Sequence, residues 1–175
     1  GCGRITLDGQ TAATVRTSDT GLGFAVLTPE VSLAPRAVAE FRTGATRIGA
    51  EIAVAGYSYG DVLTAPVVTF GTFADAKGLT GEIDRNRLTI KSLPGDAGGP
   101  VLDSSGSVVG MLLPSDNDGQ VLPSDVAFAL PAGRIAEALT LAGLPPAPSS
   151  AAGAIAAEDV AARGRDMTVL VSCWE

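Results

Sequence analysis

The strongest constraint on the fold is a recurring pattern of short aliphatic and β-branched runs, each cut off by glycine, aspartate, asparagine or proline. Residues 4–7, 12–17, 23–27, 50–56, 66–74, 86–91, 100–103, 107–113 and 125–130 all have this form. Runs of this length with turn residues between them read as strands of a sandwich or barrel. Asp8-Gly9 falls between the first two runs, and Asp-Gly is a strong signal for a tight hairpin. With 22 glycines and 11 prolines in 175 residues, the sequence favours a turn-rich all-β architecture over a helical bundle. No segment repeats at a solenoid-like period.

Helical signals are few. A short helix is expected over Arg36–Phe41 in the connecting stretch 30–47. Residues 131–142 begin with Pro131, carry Ile135, Leu139 and Ala142 at helical spacing, and stop at Gly143. Residues 144–153 (LPPAPSSAAG) read as a low-complexity linker. A second helix is expected over 155–163. Over 168–174, Val169, Val171 and Cys173 alternate with Thr168, Leu170, Ser172 and Trp174, as in a half-buried strand.

The composition allows a real core, with 46% hydrophobic against 18% charged residues. A net charge of −7 argues against nucleic acid as a partner, because phosphates repel an acidic surface. It argues equally against docking on anionic lipid. No apolar run reaches the roughly 18 residues that a membrane-spanning helix needs. There is no histidine, and two cysteines alone cannot build a zinc site, so neither a metal nor a cofactor is expected. Gly21-Leu22-Gly23 lacks the strand-to-helix context of a nucleotide-binding loop. Cys2 and Cys173 are either two unrelated thiols or a disulfide tying distant parts of the chain, which would imply an oxidising compartment such as a periplasm or the exterior.

The most specific stretch is Leu93-Pro94-Gly95-Asp96-Ala97-Gly98-Gly99-Pro100-Val101-Leu102-Asp103, followed by Gly106-Ser107-Val108-Val109-Gly110. It resembles the nucleophile loop of trypsin-like and HtrA-like serine peptidases, where Gly-Asp/Asn-Ser-Gly-Gly-Pro leads into an aliphatic strand and a return strand. Three further stretches fit the same family in order. Asp19 through Leu27 looks like the last strand of the first barrel. Gly56 to Gly60 with Pro66 to Gly71 looks like the early hairpin of the second. Asp125 to Pro131 looks like the strand before the closing helix. The resemblance covers roughly residues 4–143 and implies a chymotrypsin-like double β-barrel, with only about three strands of the first barrel in this chain.

The family's chemistry needs a nucleophile, a base and an orienting carboxylate. Where this sequence matches the nucleophile, it has Ala97; where it matches the carboxylate, it has Gly23, with Asp19 four residues earlier. The family histidine falls before the strand resembling residues 4–7, and no histidine is present at all. The resemblance places the oxyanion donors on the N–H groups of Gly95 and Ala97, in a loop that also includes Asp96. Lys91 stands at the offset that reaches the base of the primary specificity pocket in trypsin-like enzymes, where it would favour an acidic side chain.

Ala97 admits two readings: natural loss of the nucleophile, or an active endopeptidase inactivated by a serine-to-alanine change. The second loss, at Gly23, favours the first. A different chemistry using Asp96 or Tyr57 lacks an acid/base pair at a sensible spacing. The expected layout is 1–29 as strands of the first barrel, 30–47 as the connection, 48–143 as the second barrel with its closing helix, 144–154 as a linker, and 155–175 as a tail. That tail is expected to return to the first barrel and bring Cys173 to Cys2. The cut barrel also implies a partner, either an upstream segment or a second chain that completes it, and a peptide or protein bound by an inactive scaffold of the cell envelope.

Overall fold

The computed structural model describes residues 2–59, 62–115 and 122–175. Gly60 and most of the turn-rich stretch 114–124 lie outside the described residues. Among the described residues, ten strands and two α-helices follow one another as β1 (Arg4–Leu7), β2 (Thr11–Asp19), β3 (Phe24–Pro29), β4 (Glu51–Gly56), β5 (Val67–Asp75), β6 (Asn86–Thr89), β7 (Pro100–Asp103), β8 (Val108–Leu112), β9 (Val126–Pro131), α1 (Ala132–Leu141), α2 (Ala157–Met167) and β10 (Val171–Trp174). The six central strands close an antiparallel barrel in the order β4-β5-β6-β9-β8-β7. The flanking strands form a four-stranded sheet in the order β10-β1-β2-β3.

The barrel closes around Ile52, Val54, Phe73, Leu88, Val101 and Leu112, all almost fully buried. β4 does not alternate, because both its faces are covered. Ile52 and Val54 point into the barrel, whereas Ala53 joins Leu102, Val108 and Val160 in a second cluster beneath α2. A strand buried on both sides reads as a continuous apolar run. On α2, Val160, Ala161 and Gly164 face the barrel. A Cβ at Gly164 would sit 3.1 Å from Ala55 Cβ and from Leu102 Cδ1, so the missing side chain is what lets the helix lie so close.

In the four-stranded sheet, Asp8 and Gly9 both take positive φ, 50° and 70°, and turn β1 into β2 as the sequence predicts. The tail returns as expected: β10 pairs antiparallel with β1, Ile5 opposite Cys173, and Cys2 is bonded to Cys173. No free cysteine remains. Trp174 covers this edge, donating its indole N–H to Thr6 Oγ1 at 2.8 Å beneath the guanidinium of Arg4.

The helix expected over Arg36–Phe41 does not form. Phe41 is extended and bridges both Val108 and Pro148. Its N–H donates to Ala147 O and its carbonyl accepts from Ser149, so tertiary partners satisfy the backbone that a one-turn helix would leave half-bonded. The same contact pins the low-complexity stretch after α1. Arg42 lies 2.7 Å from Asp103 Oδ2 and donates to the Ala151 carbonyl, while Ser107 Oγ is 2.6 Å from Ser149 Oγ. The second helix, Ala157–Met167, runs four residues beyond its expected end, and the final strand begins at Val171 rather than 168.

Candidate functional site

The loop that joins β6 to β7 is shaped by its glycines. Pro94–Asp96 form a single 3₁₀ turn. An ideal Cβ at Gly95 would run into the Tyr57 carbonyl, and one at Gly99 into the Ala55 carbonyl. Gly98 has φ +84°, a left-handed conformation that side chains resist. Packing and turn geometry therefore account for all three glycines.

Asp96 is 3% exposed. Its carboxylate accepts the Ser58 hydroxyl at 2.5 Å and the Leu93 N–H at 2.9 Å. The first ties the loop to the residues after β4, the second closes the loop's own turn, and together they compensate the cost of burying the group. Gly98 N–H donates to Leu112 O and Leu112 N–H to Gly99 O, which stitches the loop to the end of β8.

Ala97 follows this turn, is exposed, and has only a methyl group to present. Two N–H groups converging on an oxyanion were expected at Gly95 and Ala97. In the structure, the Ala97 N–H donates instead to Pro94 O at 3.3 Å. The loop's own carbonyl sits on a donor that an oxyanion would need, so the pair is not open to a ligand in this conformation.

Gly23 ends the turn between β2 and β3 with φ +74°. A Cβ there would be 3.6 Å from Leu113 Cδ2, one residue beyond the Leu112 that holds Gly98. The position matched to the carboxylate and the residue after the matched nucleophile, Gly98, thus both face the end of β8, although neither matched position carries a reactive group. Asp19 is engaged locally instead. It closes its own turn, accepting Leu22 N–H on its side chain and Gly23 N–H on its carbonyl, both at 2.9 Å. Lys91 is exposed and is not among the residues that line the cleft at Ala97.

That cleft, of about 190 Å³, lies between the loop and the tail. One wall is Tyr57, Gly95 and Ala97, and the other is Thr168 to Val171. The tail is fixed there by Asp8: its N–H donates to Leu170 O at 2.8 Å, and its carboxylate accepts Leu170 N–H at 2.9 Å. Burial pushes the Tyr57 phenol above its usual pKa, and the charge of Asp8 adds to the effect. Sequence reading missed the approach of Asp8 and Leu170 to this loop, since 162 residues separate the two. Their only sequence signals were the Asp-Gly turn and the alternation after Thr168. Among the described residues, no cluster of His, Cys, Asp and Glu is arranged to hold a metal.

Comparison with known proteins agrees with this arrangement. A family model described as "Trypsin-like peptidase domain" matches residues 4–111. The protein y4bJ of Sinorhizobium fredii, described as uncharacterized, is 29% identical over 136 residues, which is 73% of this chain and 21% of that protein. The chain thus spans about a fifth of that relative's length. Among solved structures, an inactive form of the Rv3671c protease superposes with a TM-score of 0.58 at 25% identity, covering 76% of this chain and 68% of the other. An inactive serine-to-alanine mutant of Rv3671c from M. tuberculosis H37Rv gives 0.56 at 24% identity, covering 76% of this chain and 65% of the other. A closed six-stranded barrel, a glycine loop between β6 and β7 and a family match over most of both sheets lead to one conclusion: the chain belongs to the trypsin-like peptidase family.

Proposed function

We propose that this chain is a non-catalytic member of its family, a binding or scaffold module rather than a peptidase. The observation that carries the reading is Ala97. It occupies the matched nucleophile position, and its N–H is taken by the Pro94 carbonyl. Gly23 supports it, because a left-handed glycine stands where the orienting carboxylate is matched. With neither a nucleophile at Ala97 nor an orienting carboxylate at Gly23, the loop has no group to form and support an acyl-enzyme. The Cys2–Cys173 bond favours an oxidising compartment, periplasmic or extracellular. No helix among the described residues is long and apolar enough to cross a membrane.

The test is to incubate the chain and its Ala97→Ser variant with unfolded casein and with a fluorophosphonate probe. Neither protein is expected to cut casein or take up label, because restoring a hydroxyl does not restore the carboxylate missing at Gly23. Labelling of Ala97→Ser would overturn the reading and favour an active endopeptidase that had lost only its serine.

A further inference from the structure

A cavity of about 290 Å³ opens on the outer face of the barrel, where the start of α2 packs over β4 and β5. It shares no lining residue with the cleft at Ala97, so its chemistry is independent of what that loop does. Strand register sets out its walls. Ala53 on β4 pairs with Phe70 on β5, and Glu51 pairs with Thr72, so Glu51, Ala53 and Phe70 lie on one face. Ile52 pairs with Asp103 on β7, which brings Glu51 and Ser104 to the same end of the cavity. Ile155 and Val160 close the opposite side.

The lining is apolar on one side and carries an uncompensated negative charge on the other. Ala53 and Val160 are buried in the floor, and Phe70 leaves its ring half-exposed at the mouth. The charged lining residues are Glu51 and Asp103, with no lysine or arginine among them. Asp103 is fully engaged. Arg42 Nε lies 2.7 Å from its Oδ2, and its Oδ1 accepts the Ser105 hydroxyl and the N–H groups of Ser105 and Ser107. The Glu51 carboxylate has no ion-pair or hydrogen-bond partner among the described residues. Ala157 brings the partial positive charge of the start of α2 to the wall, but Glu158 and Asp159 in the first turn offset it.

We propose that this cavity is a binding site for a small organic ammonium ion with an apolar body. The charged nitrogen sits between the Glu51 carboxylate and the Ser104 hydroxyl. The hydrocarbon part lies over Ala53, against Val160 and the Phe70 ring. Three independent features point the same way. An apolar hollow with a few polar groups at one end is the usual form of a small-molecule site. The free carboxylate sets the sign of the ligand's charge, and an anion would be repelled by it. The face of an exposed aromatic ring on the same side of the sheet attracts a cation. The net charge of −7 adds a long-range pull on cations.

The experiment is a titration of the ¹⁵N-labelled full chain with benzylammonium chloride, benzyl alcohol and sodium benzoate at constant ionic strength, followed by amide chemical shifts. The three probes share a ring and differ in charge. Benzylammonium is expected to give saturable shifts at Phe70, Gly71, Ser104 and Ile155. Benzyl alcohol is expected at the same amides about fivefold more weakly, the upper end for an exposed charge pair, and benzoate is expected not to saturate them. Glu51→Gln should bring benzylammonium to the affinity of benzyl alcohol and leave benzyl alcohol unchanged, which shows the cavity intact. Absence of saturable benzylammonium shifts at these amides in the unmodified chain would overturn the site. Equal affinity for benzylammonium and benzyl alcohol, or tighter binding of benzoate, would overturn the assignment to ammonium ions. So would a Glu51→Gln variant that binds benzylammonium as before, or one that loses both ligands alike and so makes Glu51 merely structural.

Discussion

Single residues at the Ala97 loop are held by close contacts more than by charge. Gly99 is the sharpest case, since any side chain there meets the Ala55 carbonyl inside the barrel wall. Gly99→Ala is expected to cost about 3 kcal/mol, the upper end for overpacking a tight site, as read by urea unfolding. Tyr57 gives an electrostatic signature of the tail contact. Its phenol is held above the ordinary value of 10.0 by burial and by Asp8. The neutral form is the one favoured in the fold. That stabilisation is complete below the unfolded pKa and is lost as pH rises from about 10 through the folded value. Spectrophotometric titration of the phenol should therefore show one tyrosine ionising late, and Asp8→Asn should bring it earlier.

At the scale of elements, α2 packs tightly on the barrel at Gly164. Gly164 lies against Ala55 and Leu102, which would have to give by a few tenths of an ångström for even a methyl group. Gly164→Leu should lift the helix and cost about 1–3 kcal/mol, read as a lower urea midpoint at unchanged slope. This helix also shows where sequence reading ran out. The barrel strands were legible because their aliphatic runs are short and bounded by turn residues. The Gly95–Ala97 loop was legible because Gly95-Asp96-Ala97-Gly98-Gly99-Pro100 resembles the nucleophile loop of trypsin-like peptidases. The segment 36–41 was misread because alanine-rich sequence is compatible with a helix, whereas Val108 and Ala147 offered its backbone better partners. The closed state of the Ala97 N–H was hidden from the sequence. It depends on the orientation of one peptide unit, and Gly95 permits more than one orientation.

For the molecule as a whole, the two sheets are linked through the connection 30–50, which Arg42 pins to Asp103 and Ala151, and through the tail. The tail is the farthest-reaching link. Its disulfide closes a loop with a sequence separation of 171. In the chain-entropy account a loop of this size contributes on the order of 4–5 kcal/mol. Replacing both cysteines with serine should lower the unfolding free energy by about that amount, measured by urea denaturation without reductant, whereas a surface serine pair elsewhere should change little.

The bond between Cys2 and Cys173 also changes what kind of object the chain is. Residues 2 to 173 form a covalent ring, with β1 and β10 paired at its seam. A single cut in any exposed turn of that ring, such as the one at Asp8-Gly9, opens it without dividing it. The product keeps every residue on one connected molecule, with new ends at the cut and the old ones still joined. Two pieces separate only after reduction. Those turns are accordingly the natural places to reopen the sequence in a circular permutant, with the existing seam bridged by a short peptide in place of sulfur.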